Sequence, residues 1–147
     1  MRQYPARPWV GIGVVVHKGQ DILLIKRSKA PNKGVWSLPG GAQDLGETII
    51  EGAKREVLEE TNIETCDHFL IDCLDSIHRD QQGKVEYHYT LIEISCLYQS
   101  GILRALDDAT DAKWVPFDQI QGMNLPKNTQ LIIEKSYLSR KASLTDE

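Results

Sequence analysis

Glu56, Glu59 and Glu60 stand at the spacing i, i+3, i+4, which on a helix places three carboxylates on one face about 5–6 Å apart. At ~6 Å and an effective dielectric of ~20, each pair repels by roughly 3 kcal/mol. Such a face is either solvated, where the penalty shrinks to tenths of a kcal/mol, or it grips cations. Between residues 41 and 64 the acids are Asp44, Glu47, Glu51, Glu56, Glu59, Glu60 and Glu64, opposed only by Lys54 and Arg55. Oxygen-only ligands with room for water and phosphate select Mg²⁺, or Mn²⁺, over zinc. Gly52, one turn before Glu56 on the same face, reads as space for something to approach.

Local signals support the helix. Thr48 and Glu51 satisfy the S/T-x-x-E capping box, which sets the N-cap at Thr48. Ile49, Ile50, Ala53 and Val57 supply an inward stripe, and Asn62, tolerant of the left-handed conformation, ends the helix. Before it, Val10 to His17 and Asp21 to Arg27 read as strands joined by a hairpin turn at Lys18-Gly19-Gln20. In the second run Ile22 and Leu24 face one way, Leu23 and Ile25 the other, which implies a strand covered on both faces. Pro31 to Gly34 reads as a loop and Val35 to Leu38 as a short strand. Further on, His68 to Ile77, Lys84 to Tyr98 and Lys113 to Val115 read as strands. Pro126 to Arg140 reads as a helix with Leu131, Ile132, Lys135 and Leu138 in register. This order gives an α/β chain, a mixed sheet flanked by helices.

An acidic helix taken alone is usually a solvated face. Here Gly41, Glu47, Arg55, Glu56, Glu59 and Glu60 fit the pattern G-x5-E-x7-R-E-U-x-E-E-x-G-U, with Val57 and Ile63 at aliphatic positions U. Six such residues at about 5–8% usage each give a chance match on the order of 10⁻⁷ per starting position. The chain therefore resembles the Nudix hydrolases, of the MutT-like and ADP-ribose pyrophosphatase-like kinds. Its one departure is Asn62 where the pattern has Gly, for an expected cost of at most about 1 kcal/mol. The flanking Trp36 to Gly41, Arg27 and Trp114-Val115 agree, so the resemblance covers roughly residues 8 to 120.

That resemblance implies a single Nudix domain over residues 1–147, its core about 8–140, folded as an α/β/α sandwich with a mixed β-sheet. It implies Mg²⁺-dependent cleavage of a phosphoanhydride bond in a nucleoside diphosphate linked to another moiety, a nucleotide sugar such as ADP-ribose or a nucleoside triphosphate. Glu59 and Glu60 would be the main metal ligands, Glu56 a further ligand or the group that orients or deprotonates water, and the Gly40 carbonyl a backbone ligand. Arg55 and Glu47 would form an ion pair fixing the loop against the helix, beside the reacting groups. Similar enzymes often take another acid from the loop before the last strand. Asp107, Asp108 and Asp111 are the candidates, and Asp108, six residues before Trp114, fits best. Arg27 would hold a substrate phosphate, with Lys29 and Lys33 as weaker versions of that idea.

The remaining residues exclude more than they add. His17, His68, His78 and His88 lack metal-site spacing. Trp36 and Tyr89 could stack on a base, although core packing is the commoner role. Three cysteines without a C-x-x-C pair suit buried thiols in a reducing compartment. The opening residues carry charge without an apolar run, so a cytoplasmic enzyme without membrane contact is expected. A net charge of -4 advertises no nucleic-acid path, which disfavours an RNA-decapping role. A small-molecule nucleotide substrate is the expected partner, and a homodimer, common among similar proteins, stays open. A non-catalytic nucleotide-sensing module on the same fold is the alternative. It would predict a lost carboxylate or an added DNA-binding domain, and this sequence shows neither.

Overall fold

The computed structural model describes residues 2–29 and 33–145, and for 142–145 the backbone alone. Of the expected Pro31 to Gly34 loop, residues 31 and 32 lie outside the described set. The elements are β1 Trp9–Lys18, β2 Asp21–Arg27, β3 Trp36–Ser37, β4 Gly40–Ala42, α1 Ile49–Thr61, β5 Glu64–Arg79, β6 Val85–Ser100, β7 Ala109–Pro116, α2 Phe117–Ile120 and α3 Lys127–Thr145, with a single 3₁₀ turn at Gln121–Met123.

Among the described residues the strands form one seven-stranded sheet along β3-β2-β1-β6-β5, with β4 added to β1 and β7 added to β2. β1 and β6 run parallel, from Trp9 beside Tyr89 to His17 beside Leu97. The other pairings are antiparallel. β1 holds β2 only at the hairpin end, through His17 and Lys18. At its other end Gly11, Ile12 and Gly13 pair with β4 instead. The sheet thus forks where the two glycines Gly40 and Gly41 enter. At Gly40 (φ 155°) a Cβ would collide with the Ile12 carbonyl, so only glycine can make that crossing.

Both faces are covered. On one, Ile12, Val14, Val16, Leu23, Ile94 and Cys96 pack with Ala53, Val57 and Ile63 of the α1 segment. On the other, Val15, Ile22, Leu24 and Val115 pack with Ile132 and Ile133 of α3. The opposite directions of Ile22/Leu24 and Leu23 in β2 are those the sequence implies. Full burial of each such aliphatic side chain contributes about 1.5–3 kcal/mol. The mixed sheet between helices is the α/β/α sandwich expected from the resemblance.

Several local expectations are corrected. The buried face of α3 carries Ile132, Ile133, Ser136 and Arg140, while Leu131 and Leu138 are exposed; the stripe shifts because polar Ser136 and Arg140 are buried by hydrogen bonds. Ser136 Oγ donates to Ser95 Oγ at 2.8 Å, and Arg140 Nε donates to the same Ser95 oxygen at 2.6 Å. β7 begins at Ala109, so Asp111 is a strand residue paired with Lys26 and not a loop acid. Gly52 leaves no open space: a Cβ there would meet Ile12 Cδ1 at 2.5 Å and Glu47 Oε1 at 2.9 Å. Its role is close packing of α1 on β1.

Candidate active site

The glutamate segment folds as its capping signals dictate. Thr48 accepts from the Glu51 N–H at 3.1 Å, and Glu51 accepts from the Thr48 N–H at 2.8 Å. At the other end Asn62 is left-handed at φ 65°, and its side-chain amide donates to the Ile102 carbonyl at 3.0 Å. Asn therefore fills the glycine position with a compensating bond.

Arg55 is the hub of the box. Its Nε and Nη2 reach Glu47 Oε2 and Oε1 at 2.9 and 2.7 Å, while Nη2 also donates to the Ala42 carbonyl at 3.0 Å. Nη1 contacts Glu56 at 2.7 Å and Glu59 at 3.1 Å. One fixed fork thus ties the loop bearing Glu47 to the helix and aligns two of the three clustered acids. Glu47 is held down to about 2, foremost by the Arg55 hydrogen bonds. Both of its oxygens are engaged, Oε1 also accepting from the Asp44 N–H at 2.8 Å, and Glu47 does not line the cleft described next.

That cleft, about 220 Å³, is lined by Glu56, Glu60, Asp107 and Asp108 together with Arg2, Arg27 and Lys29. Glu60 is 3% exposed and accepts from the Gly40 N–H at 2.8 Å. It is the N–H of Gly40 that faces this carboxylate. Burial pushes Glu60 up to about 8, against the opposing pull of that N–H, and Glu56 adds to the rise. Glu56 is raised by its own burial, with Arg55 opposing. Gly41 makes room for it: a Cβ there would fall 2.5 Å from Glu56 Oε1. Asp108 also lines the cleft, paired with Lys29 at 3.0 Å. Arg27 is placed where its charge opposes the shift of Glu60.

The expected set is therefore only partly brought together. Arg55, Glu56, Glu60, Asp108, Arg27 and Gly40 share the cleft. Glu59, with a half-exposed side chain, turns outward to Arg55. Among the described residues no three His, Cys, Asp or Glu side chains converge at metal-binding geometry. The donor chemistry nonetheless fits a divalent ion: hard carboxylate oxygens only, two of them held in burial that disfavours their charge without a cation. No histidine or cysteine lines the cleft, in keeping with an oxygen-ligand metal.

A second pocket of about 210 Å³ adjoins the first and shares Arg2, Arg27, Gly40 and Gly41 with it. Tyr89, Leu91, Gly11, Gly13, Ser76 and Glu93 are among its lining residues. Tyr89 thus faces a ligand-sized space, whereas Trp36 lies under Lys113, its ring centroid 4.3 Å from Nζ. Sequence reasoning missed Arg2 and Glu93. Glu93 does carry a signal, a single acid between Ile92 and Ile94 in an apolar strand. His17, by contrast, is a buried structural residue 2.6 Å from Ser136 Oγ. Among the described residues no helix is long and apolar enough to cross a membrane.

Comparison with known proteins identifies relatives of this chain. The NUDIX domain model matches residues 7–136. An ADP-ribose pyrophosphatase of Methanocaldococcus jannaschii is 35% identical over 120 residues, which is 82% of this chain and 66% of that protein. The chain spans 58–66% of the length of the first curated relatives it matches. The crystal structure of a MutT NUDIX hydrolase from Burkholderia pseudomallei superposes with a TM-score of 0.74 at 30% identity, covering 88% of this chain and 98% of that one. The NUDIX domain of Shewanella oneidensis NrtR, crystallised with ADP ribose, shares the fold with a TM-score of 0.75 at 22% identity, over 92% and 90% of the two chains.

Proposed function

Because the chain belongs to the NUDIX family, we propose that it is a hydrolase that cleaves the phosphoanhydride of a nucleoside diphosphate linked to another moiety, ADP-ribose being the first substrate to test. The observation that carries this reading is the shared cleft: the box acids Glu56 and Glu60 face Arg27 and Lys29 beside a pocket walled by Tyr89. A bridging diphosphate needs both halves, cations for its oxygens and a wall for its nucleoside.

The residues divide the work as follows. Arg27 and Lys29 bind phosphate oxygens and set the diphosphate in register. Glu56, Glu59 and Glu60, with the Gly40 carbonyl, would hold Mg²⁺ or Mn²⁺; when bound, that ion would neutralise the diphosphate and make water a better nucleophile. Glu56 orients the attacking water and takes its proton, for it is half-buried and fixed by Arg55. Asp108, which lines the same cleft, would serve as a second base or further ligand. Arg55 and Glu47 are positioning residues that hold Glu56 in line. Of the three cysteines only Cys96 is the buried thiol expected, Cys66 being half-buried and Cys73 exposed; thiols without a disulfide partner suit the cytoplasm, and we take a small-molecule nucleotide as the partner.

The test is turnover by the purified chain with Mg²⁺ on ADP-ribose and on nucleoside triphosphates, reading AMP, phosphate and pyrophosphate. AMP release from ADP-ribose with inert triphosphates is the expected result. Binding of ADP-ribose with no AMP release under any divalent ion would instead assign the chain to nucleotide sensing. The intact Glu56, Glu59 and Glu60 favour the hydrolase.

A further inference from the structure

Two glycines and one carboxylate shape the floor of the pocket beside the acidic cleft. Gly11 and Gly13 of β1 lie in register with Leu91 and Glu93 of β6. A Cβ at residue 13 would collide with the Glu93 carboxylate, and one at residue 11 would come within 2.8 Å of Leu91 Cδ2. The two glycines thus leave the space that the Glu93 side chain and the pocket occupy.

Glu93 is 7% exposed, and its Oε2 is buried without a hydrogen-bond partner among the described residues. Its cross-strand neighbour offers no donor: Asp72 is itself an acid, bonded to Lys135 Nζ at 3.1 Å. Burial, with the Asp72 charge adding to it, pushes Glu93 up to about 7. Further along the same face, Ser95, Ser136 and Arg140 satisfy one another, whereas His17 beside them also keeps a ring nitrogen without a partner among the described residues. A buried acceptor left without a donor is rare in folded proteins and calls for an explanation. Here the side chain lines a pocket that adjoins the cleft, and a small turn of the carboxyl group would bring the covered oxygen to a donor on what fills that pocket.

We propose that Glu93 determines base specificity, its carboxyl group accepting from the exocyclic amino group of an adenine-like base whose diphosphate lies along Glu56 and Glu60. This rests on reading the adjoining cleft as a nucleotide site. An ionised carboxylate can only accept, and a neutral carboxyl accepts through its carbonyl oxygen while its O–H donates to a ring nitrogen. A ring nitrogen beside an amino group satisfies both forms, and the Tyr89 ring offers a face for the heterocycle. A base without the amino group leaves the carboxyl unpaired, the kind of mismatch that sites built around a hydrogen bond reject.

The experiment compares the affinities of AMP and purine riboside monophosphate, which lacks the amino group, by calorimetry on wild type, Glu93→Met and Glu93→Gln. Wild type is expected to favour AMP by at least ~10-fold, and Glu93→Gln, whose carbonyl oxygen still accepts, to keep that preference. Glu93→Met, checked for an unchanged melting profile, should bring the ratio within about 2-fold. Equal binding of the two ligands by wild type, or an undiminished preference in Glu93→Met, overturns the assignment even if the chain hydrolyses ADP-ribose. The full pattern without any turnover would sustain Glu93 as the base reader and refute the hydrolase.

Discussion

Arg55 and Glu47 meet through two parallel hydrogen bonds, Nε to Oε2 at 2.9 Å and Nη2 to Oε1 at 2.7 Å. The pair closes the loop between β4 and α1 onto the helix, and the remaining Arg55 nitrogen steadies Glu56 and Glu59. A lysine ammonium cannot span these partners, because it is a point charge without the planar fork. Arg55→Lys is expected to lower stability by about 2 kcal/mol and to cut turnover through a misplaced Glu56. Urea unfolding and kcat measured side by side would check both, and an unchanged kcat would detach the fork from catalysis.

Gly41 gives an independent handle on Glu56. The carboxyl carbon and both oxygens of that glutamate lie 2.5–2.6 Å from where a Cβ would sit at residue 41. Gly41→Ala must therefore push the Glu56 carboxylate aside, and a displacement of ~1 Å at a reacting group can cost 10²-fold. The expectation is a fall in kcat of at least ~10-fold with little change in the thermal midpoint. Full activity would show that Glu56 need not occupy its observed position.

Metal dependence tests the acidic turn directly. Chelation is expected to abolish turnover and Mg²⁺ or Mn²⁺ to restore it, whereas Glu60→Gln and Glu59→Gln should each lower kcat by at least ~10²-fold in saturating Mg²⁺. Glu60 lies in the cleft wall and Glu59 outside it. A normal rate for Glu59→Gln beside a dead Glu60→Gln would therefore restrict the ligand set to the residues the cleft already holds.

His17 provides a pH signature apart from the site. Ser136 Oγ donates to Ser95, so the Nε2–H of a neutral His17 donates to Ser136, and Nδ1 is left without a partner among the described residues. Burial, with Arg140 adding to it, holds His17 down to about 4. The unfolded chain, with an ordinary value near ~6.5, binds the proton more readily. Its contribution is fully present above ~6.5 and is lost as pH falls toward 4, up to about 3 kcal/mol. Denaturant midpoints at pH 7, 6, 5 and 4 should fall less steeply for His17→Gln than for wild type; parallel curves would contradict a buried neutral imidazole.

The amino-acid order alone determined the elements whose signals are local. The capping box at Thr48 and Glu51, the left-handed end at Asn62, the hairpin at Gly19 and the two-sided strand Ile22 to Ile25 all stand as read. Each depends on neighbours within a few residues, through hydrogen bonds and side-chain periods of 2 or 3.6. The box likewise announced the family, since the spacing of its glutamates is a property of the chain itself. Where those carboxylates point was decided elsewhere. Glu59 and Glu60 are adjacent in sequence, yet one turns to Arg55 and the other is buried beneath the Gly40 N–H. The inward face of α3 depended on whether Ser95 across the sheet could satisfy Ser136 and Arg140. Glu93 became a pocket residue because the parallel pairing of β1 and β6 set it against Gly13. Such placements follow from contacts between segments distant along the chain, which no local pattern encodes and only the assembled sheet brings about.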